Sequence, residues 1–171
     1  LIIQVNENPT LNTISLPGVC TGDQLNVEVF GADIYDWTTN NAITFSSGNS
    51  AIYAVDGNTT ETVTGTINYE FVSCSSTEDF EIVAFPLPVI DIIDNISICD
   101  QEELILSALV TDGTPNFVVS WSEGNLSEEY LEFSTVIDPS FTSLTVFVVD
   151  SNECQSSDIT YIEVYELPIV Q

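Results

Sequence analysis

The chain has 171 residues, enough for one domain or two small ones, and 44% of them are hydrophobic, which excludes a disordered chain. It carries 27 Asp and Glu against no Lys, Arg or His, a formal net charge of −27. That balance excludes nucleic acid and direct membrane insertion, forbids side-chain salt bridges, and removes the His or Lys that activates a Ser or Cys nucleophile.

In chain order, residues 1–8 read as the tail of a preceding repeat, ending at Pro9. Leu25, Val27 and Val29 alternate as one inward face of a strand. Tyr35-Asp36-Trp37 follows as a second strand with aromatics on its inward side. Ile67 to Val72 and Phe80 to Ala84 then predict a hairpin whose loop carries Cys74. After Pro88 the series starts again. Leu104, Leu106 and Ala108 alternate, Val119-Ser120-Trp121 follows, and Leu144 to Val149 with Ile159 to Val164 predict a hairpin around Cys154. Turn-forming residues fill the gaps, as at Asp56-Gly57-Asn58 and Asp150-Ser151-Asn152. No helical stripe interrupts the pattern, so the expectation is all-β.

Landmarks recur at a period of about 80 residues. Cys20 to Cys99 and Pro9 to Pro88 are each 79 positions apart, and Cys74 to Cys154 and Pro88 to Pro168 are each 80. The chain therefore divides into repeat 1 at 9–87, repeat 2 at 88–167, and the start of a following repeat at 168–171. The missing Met and the lack of a secretory leader add to the expectation of a segment from a longer array. Almost no slack separates the repeats, and the residue before each Pro is held extended, so a semi-rigid rod of modules end to end is expected.

Cys20, Cys74, Cys99 and Cys154 form no CxxC pair and have no His beside them, which points to disulfides in an oxidising compartment rather than zinc. Repeat symmetry favours Cys20–Cys74 and Cys99–Cys154, one bridge per repeat, with Cys74–Cys99 as the competing pairing. A loop of this length, once closed, stabilises the fold by about 4 kcal/mol in the chain-entropy picture.

The motifs Cys20-Thr-Gly-Asp-Gln-Leu-Asn-Val27, Tyr35-Asp-Trp37, Val148-Val-Asp-Ser-Asn-Glu-Cys154 and Val164-Tyr-Glu-Leu-Pro168 carry a family likeness. They resemble the immunoglobulin-like and PKD-like tandem repeats of giant Bacteroidota cell-surface adhesins, including those of gliding motility. The likeness spans nearly the whole chain and is specific to the repeat class. It departs where Phe71-Val-Ser73 replaces the Asp-Ser-Asn turn, where Gly is missing after Cys99, and where Glu153 stands at a position that usually holds Gly. The resemblance implies two immunoglobulin-like sandwiches and a structural or adhesive stalk on the cell surface, exported by type IX secretion. It further implies secretion or motility machinery and surface polysaccharide as partners, beside neighbouring repeats of the same chain. A carbohydrate- or protein-binding accessory module of a secreted enzyme is the alternative.

Carboxylates are the only catalytic groups the composition leaves, and Asp33 with Asp36 or Glu128 with Glu129 are the pairs a glycosidase mechanism could use. Both read better as solvated loop acids, and no cofactor is expected. Loosely bound calcium is the remaining option, with oxygen donors at Asp56, Asn58, Asp91, Asp94, Asp150, Asn152 and Glu153. Trp37 and Trp121 read as core residues rather than sugar platforms.

Overall fold

The computed structural model describes residues 5–14, 16–38, 43–123, 131–137 and 139–167. The chain forms two compact units, Leu1–Phe85 and Pro86–Gln171. Residues 168–171, Glu128 and Glu129 lie outside the described residues.

Unit 1 runs β1 Asn12–Thr13, β2 Val19–Cys20, β3 Gln24–Phe30, β4 Ile34–Thr38, β5 Ile43–Ser47, β6 Ser50–Ala54, β7 Thr59–Asn68, β8 Ser73–Ile82 and β9 Ala84–Phe85. One sheet has the order β1-β3-β6-β5 and another β4-β7-β8, and β2 lies parallel to β9 as a two-stranded pair. Leu25, Val27 and Val29 on β3 are buried as the alternation predicts, and they meet Tyr53, Val63, Phe80 and Ile82 in the core between the sheets. Trp37 packs against this core, its ring edge-on to Phe80 with centroids 6.3 Å apart.

Unit 2 runs β10 Ile90–Asp91, β11 Asn95–Cys99, β12 Glu103–Ser107, β13 Leu109–Val110, β14 Val118–Trp121, β15 Glu132–Val136, β16 Ser143–Val149 and β17 Gln155–Tyr165. Its larger sheet is β11-β17-β16-β14, opposite the pairs β10-β13 and β12-β15. Leu104, Leu106, Ala108, Trp121, Leu144, Val146 and Val148 fill its core. Trp121 lies 5.5 Å from Phe133, centroid to centroid.

The two units share one plan. In each, a first short strand joins one sheet, and the chain then crosses over to run parallel with the last strand. That order and its sheet partition are those of an immunoglobulin-like sandwich. Among the described residues the chain is all-β, and no helix is long and apolar enough to cross a membrane.

Two elements differ from expectation. The first hairpin is displaced: β7 begins at Thr59, and the stretch read as Ile67 to Val72 contains the turn, closed by the Tyr69 N–H donating to the Val72 carbonyl at 2.8 Å. Threonine supplies most of the outward side of β7, and its inward side carries Glu61, Val63 and Gly65, so its apolar signal is weak. Cys74 consequently sits within β8, opposite Ile67, and not in a loop. Cys20 and Cys99 end strands β2 and β11.

Candidate functional site

The cysteines give the clearest departure from the sequence reading. Cys20 and Cys154 are disulfide-bonded, whereas Cys74 and Cys99 are free thiols. The expected pairs Cys20–Cys74 and Cys99–Cys154 are therefore corrected, as is the alternative Cys74–Cys99, and neither repeat holds an internal bridge of its own.

The strand register explains why. Cys20 pairs alongside Phe85, at the end where the chain leaves unit 1, and the Thr21 N–H donates to the Phe85 carbonyl at 2.9 Å. Cys74 lies 11 residues upstream of Phe85, at the other end of the β8–β9 run. In unit 2, Cys99 pairs with Tyr165, and Cys154 lies 11 residues before Tyr165, just ahead of β17. At about 3.3 Å per residue, 11 residues of strand span about 36 Å. A disulfide needs Cα atoms only about 4.4–6.8 Å apart. Each unit thus has one cysteine at each end.

The same fixture marks the chain's entrance to each unit. Ser76 Oγ donates to the Pro9 carbonyl at 2.6 Å, and Ser156 Oγ to the Pro88 carbonyl at 2.5 Å. Each serine follows its cysteine by two residues, so Cys74 and Cys154 stand beside the entering chain.

The calcium candidates are dispersed. Asp56 and Asn58 are exposed, and the Asn58 side-chain Oδ1 accepts from the Ala84 N–H at 2.7 Å, pinning β9. Asp91 and Asp94 are exposed on and after β10, with the Asp94 backbone carbonyl accepting from Tyr161. Glu61 lies inside β7, fully buried, and accepts from the Thr59 hydroxyl at 3.1 Å. Its neighbour Tyr53 is held protonated well above the ordinary tyrosine range, first by burial and then by the Glu61 charge.

Asp150 is buried and already spoken for. Its Oδ2 accepts from the Thr114 N–H at 2.9 Å, and its Oδ1 accepts from the N–H groups of Asn152 at 2.8 Å and Cys154 at 2.9 Å. Burial pushes this carboxyl up, but the donors of Thr114, Cys154 and Asn152 outweigh it and hold it below its ordinary value. The Asn152 amide donates to the Thr114 hydroxyl at 2.7 Å. Glu153 completes the turn in the left-handed region at φ 66°, where Gly is the easier residue. The arrangement is a clamp on a five-residue loop, built from oxygens that a cation would otherwise use. Among the described residues no three acidic or sulfur side chains converge on one point.

The carboxylate pair is equally unconvergent. Asp33 accepts from the Asn68 N–H at 3.1 Å, and Asp36 points outward from β4. The sequence reading missed buried Glu61, and it took Asp150, Asn152 and Glu153 as calcium donors where they form a hydrogen-bonded turn. Two-residue alternation through Val63 and Gly65 marks the inward phase of β7 and would have placed Glu61 inside.

No protein-family model and no curated protein matches the chain. Among solved structures, it is similar to extracellular domains 3–5 of Drosophila OTK, with 12% identity, 91% of this chain and 62% of that chain covered, and TM-score 0.45. It is also similar to the insect immune protein hemolin, with 11% identity, 95% and 49% covered, and TM-score 0.43. A chimeric titin Z1Z2 tandem aligns at 14% identity over 91% of this chain and 100% of that one, TM-score 0.40. The immunoglobulin-like assignment rests on strand order and register.

Proposed function

We propose that this chain is a two-module segment of a structural or adhesive stalk on a bacterial cell surface, in a repetitive adhesin of the gliding-motility or surface-attachment type exported by type IX secretion. The observation that carries this reading is the repetition of whole modules, including their fixtures. Each has the same strand plan, a serine holding the entering proline carbonyl, and a cysteine beside the leaving strand. Such conservation of both ends serves a chain that must be joined to more of itself. The disulfide-bonded state of Cys20 and Cys154 fits an oxidising, extracellular setting. With 27 carboxylates and no cationic side chain, the surface suits a diffuse cation atmosphere, including loosely held calcium, better than catalysis.

The test is labelling of intact, unpermeabilised cells of the source organism with an antibody raised against this segment. Surface label running along extended fibres is expected. Label confined to the cytoplasm, or only to a secreted enzyme in the medium, would refute the stalk.

A further inference from the structure

Resting on that reading of the chain as part of an array, we propose that Cys74 and Cys99 are linkage points, each forming a disulfide with a module of the parent protein outside residues 1–171. Cys74 would join the module before Pro9, and Cys99 the module after Pro168.

Three observations lead there. First, Cys74 occupies the position in repeat 1 that Cys154 occupies in repeat 2, and Cys99 the position that Cys20 occupies. Both counterparts are disulfide-bonded, so each place in the module is one where a bridge forms. Second, the register excludes a partner inside the same unit, about 36 Å away along the last strand. Cys74 stands instead where the chain enters unit 1, and Cys99 where it leaves unit 2, beside Tyr165. Both thiols are partly exposed and reachable from outside the fold.

Third, the surroundings of Cys74 are dressed for a neighbour. The turn between β7 and β8 holds Phe71 at 91% exposure and Val72 at 49%, and Val5 on the entering segment is 82% exposed. The corresponding loop of unit 2 is the polar Asp150 clamp. An aromatic ring so fully in water is unfavourable unless something covers it. The preceding module, tethered through residues 5–8, is the body that the chain itself delivers to this end.

The chemistry is thiol–disulfide exchange. Cys74 and its partner cysteine lose two protons and two electrons as their S–S bond forms. A disulfide-carrying thiol oxidant takes up both and leaves as a dithiol; Cys99 and its partner react likewise.

The experiment uses the parent protein, isolated in the presence of N-ethylmaleimide and digested without reduction by a Glu-specific protease. The expected result is that the peptides containing Cys74 and Cys99 emerge each bonded to a peptide from outside residues 1–171, with no maleimide adduct. Adducts on Cys74 or Cys99, or a bridge between two copies of this segment, would overturn the inference. A parent chain without flanking repeats would overturn the stalk reading as well, whereas adducts in a parent that has them would overturn the linkage alone.

Discussion

Asp150 holds three backbone N–H groups of unit 2 on one buried carboxylate. Hydrogen bonds to a charged acceptor are each stronger than neutral ones, and removal of the acceptor leaves its donors unsatisfied. Asp150→Ala is therefore expected to destabilise unit 2 by about 3 kcal/mol in urea unfolding. The pH dependence has a definite sign. The folded carboxyl titrates below its ordinary value of 3.8, so the unfolded chain binds the proton more readily. The stabilisation is complete above that value and is lost as pH falls through the folded pKa. The stability gap between the native chain and Asp150→Asn should accordingly be widest near neutrality and narrow steadily below pH 3.8; a gap that stays constant down to pH 2 would remove Asp150 from this role.

At the scale of elements, Gly65 shows how a hairpin strand is seated. It faces inward on β7, and a Cβ there would collide with the Leu11 side chain and lie 2.9 Å from the Ala32 Cβ. Gly65→Val should cost unit 1 about 2 kcal/mol by overpacking, read as a lowered midpoint of its unfolding transition, while the outward Thr64→Val should leave it nearly unchanged. The third strands of both repeats were legible in the sequence because Leu25, Val27, Val29 and Leu104, Leu106, Ala108 alternate without interruption. β7 was not, because Thr, Glu and Gly occupy an alternating strand without advertising it. The cysteine geometry was hidden for a different reason. It depends on β2 and β11 crossing to lie parallel with the final strand, a pairing across more than sixty residues that no local pattern encodes. Repeat symmetry identified equivalent cysteines correctly and said nothing about which end of the sandwich each occupies.

Over the whole molecule, electrostatics and covalent linkage oppose one another. A charge of −27 with no cationic side chain is repulsive throughout, and no ion pair between side chains can offset it. Salt shortens the screening length from about 10 Å at 0.1 M to about 3 Å at 1 M. The thermal midpoint at pH 7 should therefore rise from low to molar NaCl, and a flat response would show that the acidic groups are too dispersed to strain the fold. Against this repulsion stand two apolar cores and the disulfide-bonded Cys20 and Cys154.

The central claim, that each module carries one cysteine at either end and no bridge within itself, is tested most directly by alkylating the native 171-residue chain and mapping its peptides without reduction. Adducts on Cys74 and Cys99 are expected, with Cys20 and Cys154 labelled only after reduction. A peptide joining Cys20 to Cys74, or Cys99 to Cys154, would contradict the account.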